Sequence, residues 1–120
     1  AWERMLLDLS ETPAELMARA VRDHLADCTH TLPTLNEPGR EPSLHFFMAS
    51  LGAMRKQLFP SLETAYREWL ASGDAGGLAA LIGRGAQHWI TVAGHMLALN
   101  ERHGERAAAA IAKTMEQSSL

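Results

Sequence analysis

His24 and Cys28 stand four residues apart in a stretch with helical spacing, where two side chains can share one metal ion. His30 follows closely. The pair invites a metal or haem reading. Two ligands make no defined site, however, and no second pair at metal spacing exists in the chain. A core histidine bonded to a carbonyl, beside a small buried thiol, is the preferred reading. No metal ligand set and no cofactor are assigned.

His88 and His95 are seven apart, two helical turns along one segment. They share a side of that helix but lie roughly 10 Å apart along its axis, too far for one ion. They can line one elongated pocket, or pair with their copies across a two-fold axis. The plainer expectation puts His95 in a solvent-facing strip and His88 at its edge. Arg55 falls within an apolar stripe near Leu44, Met48 and Leu51. A guanidinium there needs a carboxylate, carbonyls, water or an anionic ligand, and internal pairing or snorkelling is the commoner solution. His24, Cys28, Arg55, His88 and His95 are therefore the candidate ligand-binding residues.

Phe46 lies on an otherwise polar side with His45, Lys56 and Gln57, which suggests contact with a partner. Trp89 and Met96 belong to a segment, Ala86 to Leu99, that is apolar over more than half its circumference. A helix of that kind is buried on more than one side. It is expected to be the central helix of a bundle or half of a subunit interface, so Phe46, Trp89 and Met96 are the candidate interface residues. The six Met residues are read as plain core rather than as an adaptable binding surface.

No catalytic residue is assigned. HExxH, CxxC, G-x-S-x-G, a Gly-rich phosphate loop and the Glu-x-x-His repeat of di-iron bundles are all absent. No carboxylate is expected on an apolar face, where burial would raise its pKa for acid–base work. Enzymatic activity is thus unsupported, unless another chain completes a site.

The elements that hold these residues are helical. Ala and Leu together number 37, Val and Ile only 5, a balance that favours helix over strand. The spacing predicts an all-α, single-domain bundle of about five to six helices over residues 1–120, with a long central helix near the C-terminal half. A short helix spans 2–9. Thr12-Pro13-Ala14-Glu15 reads as a capped start for a helix over 13–28. Residues 29–42, with Pro33, Pro38, Gly39 and Pro42, lack periodicity and read as a long crossover loop. Ser43 is expected to cap a helix over 43–59, ended by Pro60, and Ser61 to cap one over 61–72, closed by Gly73. The long helix covers 75–103 and can start late or break near Gly83. An Ala-rich helix over 105–117 follows.

Composition bounds the rest. The net charge of −3 and scattered Arg residues provide no basic face, so direct nucleic-acid binding is not expected. The single cysteine rules out an internal disulfide framework and suggests a reducing cytoplasm. No segment is apolar for long enough to cross a membrane, and no signal-peptide pattern is present. The chain opens at Ala1; trimming of an initiator Met, processing, or excision from a longer chain would each give that start.

Two functions follow as expectations. The first is a non-enzymatic interaction or assembly module, a homo-oligomer or a small subunit of a larger complex, whose partner is itself or another protein chain. The alternative is a small-molecule or haem/metal-sensing domain, for example the effector-binding part of a regulator, with its pocket among His24, Cys28, Arg55 and His88.

Overall fold

A computed structural model describes all 120 residues, and every regular element in it is helical. Helix α1 spans Trp2–Asp8 and α2 Pro13–Ala26. A π-helical turn, Asp27–Thr31, leads straight into α3, Leu32–Leu35. Helices α4 (Glu41–Ala49), α5 (Ala53–Leu58) and α6 (Pro60–Ser72) follow. Helix α7, Gly76–His103, is joined through a 3₁₀ turn to α8, Ala107–Glu116.

At 1.5 Å per residue, the 28 residues of α7 reach about 42 Å. The whole molecule measures 46 × 22 × 22 Å, so α7 is its axle and the body is about two helices thick. Helices α2, α6 and α8 pack along α7. One continuous core joins Val21 and Cys28 from the α2 side, Phe59 and Leu62 from the α6 end, Trp89, Val92 and Met96 from α7, and Ile111 and Met115 from α8. At the far end, the buried Asn100 amide donates to the Asp8 carboxylate at 2.9 Å and ties α1 to α7.

The stretch expected as a loop, 29–42, is mostly helix. Only residues 36–40 separate α3 from α4. Pro33 lacks an N–H, and its ring crowds the preceding turn of a regular helix; the wider π turn just ahead of it accommodates both effects. The buried positions His24, Cys28 and Leu32 are four apart and would drift about 40° per step around a 3.6-residue helix. A π turn absorbs that drift and keeps Leu32 on the core.

Other boundaries move for similar local reasons. The expected helix 43–59 is two pieces, α4 and α5, separated at residues 50–52. Helix α4 starts earlier than predicted, at Glu41-Pro42, which places proline in the first turn and Ser43 inside the helix. Pro60 opens α6, and Gly73 closes it in the left-handed conformation, φ 74°. Thr12 makes no cap through its side chain; its hydroxyl donates backwards to the Leu9 carbonyl. Glu15 accepts instead from the Glu11 N–H at 3.1 Å.

Helix α7 does not break at Gly83. Two residues on, Gly85 lets the π turn approach: a Cβ there would lie 2.7 Å from Cys28 Sγ and 3.1 Å from the Phe59 ring. The apolar arc of α7 is also better covered than its composition suggests. Trp89 and Met96 are fully buried by their own chain. Of the large side chains on that arc, Ile90 is the one that stays half exposed.

Candidate functional site

The five residues expected to bind a ligand divide into a packed cluster, a tail contact and a shallow groove. His24 is buried on α2; its Nε2 lies 2.9 Å from the Arg55 carbonyl and Nδ1 has no partner. The carbonyl is an acceptor only, so Nε2 carries the proton and the neutral ring presents a bare Nδ1. The ring stacks on Trp89 and meets Phe59 edge-on. Burial pulls its pKa down to about 4, against the smaller upward pull of the carbonyl bond. Cys28 lies below it, one turn along, its thiol pushed up to about 11 by burial.

Arg55 reaches back to pair with Asp27, the first residue of the π turn, and its guanidinium stands over the Phe47 ring at 5.7 Å. Neither Asp27 nor Asp8, whose side chains are 15% and 7% exposed, was expected in a covered position. Asp27 lies against the Arg55 guanidinium as its counter-charge, and Asp8 is held by Arg4 and Asn100. Their neighbours in sequence are polar, so periodicity alone conceals them.

His88 does not join this cluster. Its Nε2 bonds the Ser118 carbonyl, and Leu120 beyond it exchanges backbone hydrogen bonds with Leu58 and Ser61. His88 thus fastens the tail across the α5–α6 corner. His95 is exposed and lines a groove with Leu99, Arg102 and Thr114. The principal clefts of the molecule are not lined by His24, Cys28, Arg55 or His88. The space expected to be a pocket is filled by Trp89 and Phe59. No group of three His, Cys, Asp or Glu side chains is placed to hold a metal ion.

The cleft best equipped for chemistry lies elsewhere, between α4, α5 and α6. It has a volume of about 320 Å³. Met48, Leu51, Phe59 and Leu70 form its apolar surface, and His45, Lys56, Glu63, Tyr66 and Arg67 bring polar groups to it. The α6 residues Glu63, Tyr66, Arg67 and Leu70 recur at i, i+3, i+4 and i+7, so one face of one helix supplies a whole wall. Across from it, His45 Nδ1 and the Tyr66 hydroxyl share a 2.6 Å hydrogen bond. Trp69 completes an aromatic cluster with these two, ring centroids 5.6 and 5.9 Å away. Glu63 and Arg67 pair at 2.9 Å, whereas Lys56 has no ion partner.

Sequence reasoning missed this site. His45 read as part of a polar side. Its meeting with Tyr66 and Trp69 depends on how α4 folds back on α6, which neither helix encodes alone. The i, i+3, i+4, i+7 row on α6 was the one legible signal.

The family model for the C-terminal domain of a family of unknown function, DUF6866, matches residues 1–118. The chain belongs to that family. No curated protein and no solved structure matches it. The chemistry of this DUF6866 domain therefore has to be read from its own surface. That surface is served by helices of which none is long and apolar enough to cross a membrane.

A second feature of the DUF6866 domain sits on the opposite flank of α4. Phe46 is 76% exposed, the most exposed of the large apolar side chains. Beside it runs a groove of about 470 Å³ lined by Leu35, Pro42, Ser43, Phe46, Phe47 and Ser50, without a charged residue. Leu44 and Met48, on the other side of the same helix, are buried. Helix α4 is thus covered on one side and leaves an apolar patch open on another.

Proposed function

We propose that this domain is a non-catalytic association module whose partner is a second copy of itself, with α4 as the contact helix. The observation that carries the reading is the 76% exposure of Phe46 beside a charge-free groove on the same patch. A side chain and a groove on one patch can satisfy each other across a two-fold axis, the arrangement of isologous dimers. Each Phe46 removed from water contributes about 1.5–3 kcal/mol. The lone buried thiol suits a reducing compartment such as the cytoplasm.

The test is the solution mass by sedimentation or light scattering at tens of micromolar. The wild-type chain runs at twice its chain mass, and Phe46→Asp runs as a monomer with an unchanged helical circular dichroism spectrum. A monomeric wild type, or a dimer indifferent to Phe46→Asp, overturns the reading.

A further inference from the structure

We infer that the cleft between α4, α5 and α6 is a receptor site for a small amphiphilic carboxylate, a molecule with a short apolar body and one anionic head. The inference is independent of self-association, since Phe46 and its groove lie on the other flank of α4.

Size selects a small molecule. At about 320 Å³, the cleft is at the lower end of the range for small-ligand pockets. A short chain or single ring fits that volume; a helix does not. The apolar surface from Met48, Leu51, Phe59 and Leu70 takes the body. Phe59 and Leu51 are buried there, so part of the floor is rigid, while Leu70 is 53% exposed and stands free to close over a guest.

Charge selects an anion. Lys56 and Arg67 are two cations facing one carboxylate, Glu63, in a chain whose net charge is −3. Glu63 is engaged by Arg67, so its charge is already matched. Lys56 has no such partner, and its ammonium is a point charge suited to a carboxylate head. Orientation comes from the His45–Tyr66 hydrogen bond. That bond holds the Tyr66 hydroxyl against His45, so the pair shapes the wall and leaves the anionic head to Lys56. The Trp69 ring behind the pair holds both in place. An amine head would meet Lys56 and Arg67 and be repelled; an alcohol would gain the apolar contacts and lose the charge-assisted bond.

Titration with octanoate, octanol and octylamine, followed on ¹³C-methyl methionine, tests the site. Octanoate is expected to shift the Met48 signal saturably and to bind about tenfold more tightly than octanol, with octylamine weakest. Lys56→Gln, a substitution at an exposed position, removes that tenfold preference and leaves octanol binding unchanged. Octanoate no tighter than octanol, an unmoved Met48 signal, or a Lys56→Gln variant that keeps the preference each overturns the inference.

Discussion

The imidazole of His24 lies on the indole of Trp89, ring centroids 5.2 Å apart and planes 19° from parallel. The same ring donates to the Arg55 carbonyl and is held neutral by burial, with a pKa of about 4. Because the folded pKa lies below the ordinary histidine value, the unfolded chain takes up the proton first as pH falls. The stability is fully present above about pH 6.5 and is lost as pH falls toward 4, about 3 kcal/mol in all. Urea midpoints at several pH values between 7 and 4.5 report it. His24→Phe keeps an aromatic ring there and flattens the slope; an unchanged slope in that variant would show that another group titrates.

Gly85→Ala tests the closeness of the π turn and α7. The added methyl would meet Cys28 Sγ at 2.7 Å and the Phe59 ring at 3.1 Å. Overpacking of this kind costs about 1–3 kcal/mol. Cys28→Ala removes the sulfur, so the double variant should be less destabilised than the sum of the singles. Additive losses in thermal or urea unfolding would mean that the sulfur is not the obstacle.

Arg55 and Asp27 form the best covered ion pair of the molecule, with side chains 22% and 15% exposed. Asp27→Asn should cost about 2–3 kcal/mol, because it leaves a covered guanidinium without its counter-charge. Arg55→Met with Asp27→Leu should recover part of that loss, since an apolar pair leaves neither group unmatched. Equal stability of wild type and Asp27→Asn in denaturant titrations would show that water already screens the pair.

Cys28 should resist alkylation. Its thiol is buried and its pKa is pushed up to about 11, so little thiolate exists near neutrality. At pH 8, iodoacetamide should label the native chain at least about a hundredfold more slowly than the urea-unfolded chain. Mass spectrometry of timed samples measures both rates. Comparable rates would place the sulfur at the surface.

The helical character of the chain was legible from its Ala and Leu content, and the long reach of α7 from the apolar spacing around Trp89. What α7 covers was not. Its arc looked too wide for a small bundle to hide, yet α2, α6 and α8 enclose it from three sides. Phe46 stood out from its position alone, because an aromatic residue among His45, Lys56 and Gln57 breaks a polar side. The cleft at Tyr66 was hidden because its two walls belong to helices whose relative placement is a tertiary fact. Lys56 offered no clue, since a solvent-facing lysine is ordinary until an apolar floor lies beside it. The π turn was misread as a loop because Pro33 and Pro38 outweighed the buried spacing of Cys28 and Leu32.

That turn has a consequence for how this domain tolerates change in length. Between Asp27 and Thr31 the chain carries a phase correction of a fraction of a turn. Removing one residue there would let regular winding resume, and because the π turn holds one residue more than an α turn, the elements downstream would keep nearly their present phase. A deletion in the regular turns of α2 has no such reserve and would rotate Leu32 by about 100° away from the interior. Single-residue deletions should therefore be tolerated between Asp27 and Thr31 and not within α2.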